Sequence, residues 1–421
     1  MKPGAYFKII VCVLALGPVA ARADDTLDSW IAQALENNSE LGAAKKKWEA
    51  ATHKVPQATA WEDPMIGADV ERMGTTRFDD YTDVEWMISQ KVPWFGKRAS
   101  RGRVEQGAAN QAEQEFLAKR LEVAARVKRF AYDYWQSQQE LEINRRHRTL
   151  LDQFVQIVTV RYEAGKASQA DVFKAEVAFA KLKEDRFDRQ RELQKAQVNL
   201  NALVKRAPDA PIELTLPEQT VPAVATSLDS LLQASEQRPE LRAIQRGAVV
   251  SAQASLAVAR KVYAPDIEFR VEARSYNGRS GLQEYDTGVF LSFPWLNERR
   301  NRAAIAEARA NIERNAEDYE AMKQATLAAV KQTHDGMVTM HHHYELFASA
   351  ILPVQRAAVE AARASYEADK ATFLEVIDAQ RELLDSEMQQ IHHVAEYHRL
   401  QAELERLVGG TLPNPSAGES K

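Results

Sequence analysis

Tyr162-Glu163-Ala164-Gly165-Lys166-Ala167 returns 204 residues later as Tyr366-Glu367-Ala368-Asp369-Lys370-Ala371. Each copy is followed by the same device. Ser168 stands three residues before Asp171, and Thr372 three residues before Glu375, the hydroxyl-x-x-acid pattern in which side chain and backbone cap each other at a helix start. Gly165 suits the left-handed position that closes a preceding helix. Each hexapeptide therefore predicts a tight turn between two helices, with Asp369 taking the glycine's place in the second copy.

Upstream of the first turn, Lys97 to Ala164 holds no proline and only two interruptions, Gly102 and Gly107. At ~1.5 Å per residue this helix is roughly 100 Å long. Glu298 to Ala368 repeats it, with breaks expected at Gly336 and Pro353. Uncapped helical patterns of this length belong to coiled coils or helical tubes.

The duplication extends over nearly the whole chain. Asn38-Ser39-Glu40-Leu41 pairs with Arg238-Pro239-Glu240-Leu241 at an offset of 200, Pro93-Trp94 with Pro294-Trp295 at 201, and Leu203-Val204 with Leu407-Val408 at 204. The boundaries that follow are an export signal at 1–23, a first repeat at 24–206, a linker at 207–225 holding Pro208, Pro211, Pro217 and Pro222, a second repeat at 226–409 and a tail at 410–421. The signal rests on Lys2 and Lys8, an apolar run from Ile9 to Leu16, and Ala21-Arg22-Ala23 as cleavage site, with Asp24 the expected new start. The single cysteine, Cys12, lies in that signal, so neither disulfides nor cysteine chemistry is expected.

Each repeat also carries a β-hairpin, at 64–93 and 265–294. Ile66, Ala68 and Val70 alternate with Gly67, Asp69 and Glu71; Val84, Trp86 and Ile88 with Asp83 and Glu85; Ile267, Phe269, Val271 and Ala273 with Glu268, Arg270, Glu272 and Arg274; Val289, Leu291 and Phe293 with Asp286, Gly288 and Ser292. Four half-buried strands of a soluble sheet would read the same way. Two features favour a membrane. The polar face is densely charged, as a wet lumen would be: Asp69, Glu71, Asp83, Glu85, Glu268, Glu272 and Asp286 against Arg270 and Arg274. Aromatics bracket the strands at matching places, Trp61 and Tyr263 before, Trp94 and Trp295 after, as at a membrane–water girdle. Four strands cannot close a barrel, and open edges are not tolerated in lipid, so several copies must share one.

No catalytic constellation, phosphate loop or cofactor motif occurs, and a net charge of −5 gives no footprint for nucleic acid. Seven of the nine histidines lie between His334 and His398. Folding back at the tip brings His341 and His343 level with His398, a candidate metal site, although adjacent histidines on a helix diverge and packing explains them as well.

The duplication, Pro93-Trp-Phe-Gly-Lys-Arg98 and the tip Arg161-Tyr162-x-x-Gly165-x-x-Ser168-x-x-Asp171-Val172 together resemble the TolC-type outer-membrane factor family over essentially the whole mature chain. The second tip is a degenerate copy, with Ser365 for the arginine. The resemblance implies an elongated α+β protomer and a homotrimer. Twelve strands then form an outer-membrane barrel, continuous with a periplasmic tunnel of helical hairpins. It implies docking of the tips on a periplasmic adaptor and an inner-membrane pump, of the resistance-nodulation-division type if the chain follows the heavy-metal (cobalt-zinc-cadmium) branch it looks most like. By match to the tip motif, Tyr162, Gly165, Ser168, Tyr366 and Thr372 are the docking candidates. The acids Glu163, Asp171, Glu367, Asp369 and Glu375 are candidates for the mouth of the duct, with capping a sufficient role for Asp171 and Glu375. Organic toxicants or secreted polypeptides remain alternative cargoes, and a secreted coiled-coil scaffold the alternative architecture.

Overall fold

In a computed structural model of the chain, four strands form one antiparallel sheet in the order β1-β2-β3-β4, built from Met65–Glu71 (β1), Asp83–Val92 (β2), Ile267–Tyr276 (β3) and Glu284–Leu291 (β4). The structure describes residues 26–72, 74, 81–216, 220–277 and 279–412. The expected export signal with Cys12 and Asp24, Pro217 of the linker, and residues 413–421 of the tail lie outside them.

The helices repeat in order. Leu27–Asn37 (α1) and Ser39–Thr59 (α2) precede the first hairpin; Lys97–Glu163 (α3) and Gln169–Leu203 (α4) follow it. Leu228–Ser235 (α5), Pro239–Arg242 (α6) and Val249–Arg260 (α7) precede the second; Glu298–Leu346 (α8), Leu352–Glu367 (α9) and Phe373–Val408 (α10) follow it. α3 spans 67 residues without a break. Its second-repeat counterpart is interrupted by a π-helical turn, Phe347–Ile351, just ahead of Pro353. The break expected at Gly336 is absent: α8 runs through it, and a Cβ there would sit 3.1 Å from Leu400.

Gly102 and Gly107 do not interrupt α3 either. A Cβ on Gly107 would fall 2.6 Å from the backbone nitrogen of Ser251. Across the same crossing, a Cβ on Gly247 would fall 2.6 Å from Cα of Gln111. Two glycines let α3 and the segment leading into α7 touch backbone to backbone, which no larger residue permits. Glycine's helix penalty of about 1 kcal/mol is the cost of that approach.

Two cores result. One gathers Trp30, Val123, Val127, Trp135, Leu200, Val330, Met337, Val394 and Leu404 at the middle of the molecule; the other gathers Leu151, Phe154, Val158, Tyr366, Phe373, Val376 and Ile377 near the hairpin tips. The proline-rich connection is no slack tether. Leu216 and Val221 enter the first core, Thr215 bridges to Thr26, and its carbonyls are taken up by helix side chains. His341 Nδ1 lies 3.0 Å from the oxygen of Val221, His398 Nε2 lies 3.2 Å from that of Thr220, and Asn201 donates to Ala210 at 2.8 Å. Prolines have no N–H to leave unsatisfied, so a segment rich in them can lie against helices through carbonyls alone.

Candidate functional site

The sheet register sorts side chains by face. Ile66, Ile88 and Val271 stand in one row, Ala68, Trp86, Ala273 and Tyr285 in the next, then Phe269 with Val289 and Ile267 with Leu291. This apolar face is exposed: Ile66 is 77% exposed, Val289 64% and Trp86 52%. The other face carries all nine expected charges, since Asp69, Glu85, Arg274 and Glu284 share one row, Glu272 and Asp286 another, and Lys91 with Glu268 a third. Glu284 and Lys91 escaped the sequence reading and cancel each other, so the acidic surplus stands. Arg270 bonds Glu268 at 3.0 Å and Glu272 at 3.4 Å; Arg274 bonds Glu85 at 2.9 Å and Asp83 at 3.2 Å. One correction follows: Asp83, expected on the wet face, is buried beneath Arg274. An exposed apolar face of this extent on a four-stranded sheet is a contact surface for lipid or protein. β1 and β4 are the edge strands, each paired on one side only among the described residues.

The residues expected to form a girdle lie at the sheet's helix-facing end. Trp61, Trp94 and Trp295 are exposed, with Tyr263 half-buried. Phe95 (84%) and Leu296 (87%), which stand outside the strand alternation, extend the band together with Phe293, expected within the fourth strand but lying just beyond its end at Leu291. Beneath them the Pro-Trp-Phe-Gly-Lys-Arg segment ties the two repeats. Gly96 sits at φ +78° before α3. Lys97 Nζ donates to Asp266 at 2.7 Å and to the carbonyl of Ala264 at 2.7 Å, and Asp266 also accepts the backbone N–H of Trp94. Burial works to raise the Asp266 carboxyl, but Lys97 and that N–H outweigh it and hold it below the usual carboxylate range.

At the tips both capping boxes form, Ser168 with Asp171 and Thr372 with Glu375, and Gly165 and Asp369 turn left-handed at φ +73° and +59°. Asp171 and Glu375 thus serve as caps. Asp369 is paired with Arg161, which also donates to the carbonyl of Glu367 at 3.0 Å and lies 4.8 Å over the Tyr366 ring. Glu163 is exposed, and the Glu367 carboxylate bonds Arg363 at 3.1 Å. Of the docking candidates, Tyr162, Gly165, Ser168 and Thr372 are exposed. Tyr366 is not: it is 5% exposed, with its ring 5.9 Å from Phe373, and burial pushes its phenol up. Its expected surface role is withdrawn. A groove of about 260 Å³ between α4 and α10, lined by Phe173, Val177, Phe373, Leu374 and Ile377, adds apolar surface that the motif match did not reveal.

Between the two large cores Glu387 of α10, 6% exposed, receives positive or hydrogen-bonding groups from two other helices: His147 at 3.2 Å and Arg146 at 3.1 Å from α3, and Arg356 at 3.1 Å from α9. Burial opposes its charge, yet His147, Arg356 and Arg146 prevail and bring the carboxyl down to about 2. The candidate metal residues do not meet. His341 and His398 are bonded to the linker, His398 stacks on Tyr132 at 4.3 Å, and His343 faces His393 instead. Among the described residues no group of three or more His, Cys, Asp or Glu is placed to hold a metal ion, nor is any helix long and apolar enough to cross a membrane.

A duplicated chain whose two repeats each add a hairpin to a sheet with one apolar and one charged face, and each carry a long helical hairpin, has the build of a channel-type protomer. Residues 30–204 and 231–410 match the Outer membrane efflux protein family, and the chain belongs to it. It is 22% identical over 397 residues to the cobalt-zinc-cadmium resistance protein CzcC of Cupriavidus metallidurans, covering 93% of this chain and 92% of that one. It is 24% identical over 429 residues to the toluene efflux pump outer membrane protein TtgF of Pseudomonas putida, covering 94% and 85%. Among solved structures the fold is shared with CusC (TM-score 0.78, 19% identity, 91% and 92% covered) and with the outer membrane protein VceC of Vibrio cholerae (TM-score 0.78, 17% identity, 92% and 97% covered).

Proposed function

We propose that three copies of this chain assemble into an outer-membrane duct. Their twelve strands close one barrel, with the apolar face in lipid and the charged face lining the lumen, and the helices continue it as a tunnel across the periplasm. The observation that carries this reading is the two-faced sheet with two open edges: β1 of one copy and β4 of the next can satisfy each other and remove both edges. The duplication supports it independently. α7 packs against both α3 and α8, whereas its first-repeat equivalent α2 packs against α3; a neighbour's α8 would give α2 the same second partner.

On this reading the duct is passive. Its tips dock on a periplasmic adaptor and an inner-membrane pump of the resistance-nodulation-division type, through Tyr162, Gly165, Ser168 and Thr372 and the α4–α10 groove. Heavy-metal cations are the proposed cargo, supported by the CzcC and CusC likenesses and by the acidic surplus of the lumenal face, which favours cations. The likeness to TtgF supports a second reading, export of organic solvents through the same duct. Mass measurement of the detergent-extracted protein tests the assembly: a trimer is expected, and a stable water-soluble monomer would overturn it. Deleting the gene and scoring tolerance to zinc, cobalt and cadmium against toluene separates the cargoes.

A further inference from the structure

Outside the sheet, junction and tips, the histidines of α8 and α10 form a concentration of ligand-type side chains that the duct reading leaves unused. His343 and His393 stand on neighbouring antiparallel helices with ring centroids 4.9 Å apart, and His392 lies 5.9 Å from His393. His343 is two residues from His341, about 200° around α8. It therefore points away from the linker that His341 holds and is exposed. The Nδ1 of His393 is buried without a hydrogen-bond partner, although buried polar atoms are almost always satisfied and an exception calls for a cause, an ion among them. Phe347, 5.1 Å away and edge-on, closes one side of the ring.

We propose that His343 and His393 form a cross-helix binding site for a divalent transition-metal ion of the zinc, nickel or copper type, with water completing the coordination. Imidazole is the ligand these ions favour. A tetrahedral ion with metal–nitrogen bonds of ~2.0–2.1 Å needs its two nitrogens about 3.4 Å apart, a separation compatible with ring centroids 4.9 Å apart and planes tilted by 57°. Two protein ligands with open positions make a site that exchanges its ion readily, unlike the closed four-ligand structural sites. Both ligands belong to one chain, so the site stands or falls separately from the assembly and the cargo.

The test is calorimetric titration of the untagged full chain in detergent with Zn²⁺ alone. One ion per chain is expected, with binding weakened at least tenfold in His343→Gln and in His393→Gln and unchanged in His342→Gln. Electron paramagnetic resonance of bound Cu²⁺ should show two coordinating nitrogens, falling to one in either variant. His343 is exposed, so its variant keeps the fold, checked by circular dichroism. Absence of binding in the parent chain, or wild-type affinity in both variants, overturns the proposal.

Discussion

The two hairpin tips descend from one sequence and have reached opposite ends. In the first, Tyr162 is exposed, and so are Phe173 and Val177, each at 54%. In the second, Tyr366 is buried on Phe373, with Ile377 beside it. The difference lies in one position: where the second tip has Phe373, the first has Gln169, which offers Tyr162 no apolar surface to cover. The second tip also contributes Asp369 to the Arg161 of the first, so the second is built into the protomer while the first presents its aromatics outward. A duplicated fold can thus assign holding to one copy and contact to the other.

Substitutions at matched positions sharpen or break this contrast. Tyr366→Asp, which removes a buried ring and buries a charge, should cost about 3–5 kcal/mol, whereas Tyr162→Asp should leave thermal stability unchanged and weaken capture of the adaptor. Equal melting shifts in the two variants would erase the distinction. Gly247→Leu should cost about 3 kcal/mol or prevent assembly, because overpacking meets the backbone of α3. Lys47, 200 residues earlier and exposed, should accept leucine within about 0.5 kcal/mol. Chemical denaturation of both variants reads the difference.

The third contrast sets buried Glu387 against its equivalent Lys183, which is exposed. The folded Glu387 carboxyl titrates at about 2, from an ordinary 4.5. A lowered acid contributes stability above its unfolded pKa and loses it as pH falls through the folded one. At ~1.36 kcal/mol per unit this is about 3 kcal/mol at most, an upper bound because Arg146 and Arg356 are more than half exposed. Stability should fall between pH 5 and pH 2, and Glu387→Gln should flatten that slope while Lys183→Gln leaves it intact. The smallest effect belongs to the turns. Gly165→Ala should cost about 1 kcal/mol at φ +73°. Asp369→Gly should be near neutral, since the relieved backbone is offset by the lost pair with Arg161, as hydrogen exchange at the tips can report.

The repeat, the capping boxes, the long helices and the two faces of the sheet were legible because each is periodic or local. What the sequence concealed is long-range. Gly107 reads as a helix interruption and Gly247 as nothing in particular, since nothing local announces that two backbones will meet. Glu387 and His147 are ordinary polar residues until three helices converge on them. Tyr366 carries the same motif as Tyr162, and only its packing on Phe373 tells them apart. The histidines were grouped by level along the hairpin, but their directions around each helix send His341 and His398 to the linker and leave His343 to meet His393.

The central claim is that the sheet's apolar rows face lipid while its charged rows line water. Nitroxide labels placed singly from Phe269 to Arg274 in the reconstituted protein test it most directly. Oxygen accessibility should peak at Phe269, Val271 and Ala273, and accessibility to a water-soluble nickel chelate at Arg270, Glu272 and Arg274. Apolar positions shielded from both reagents would mean that protein covers them, and would contradict the account.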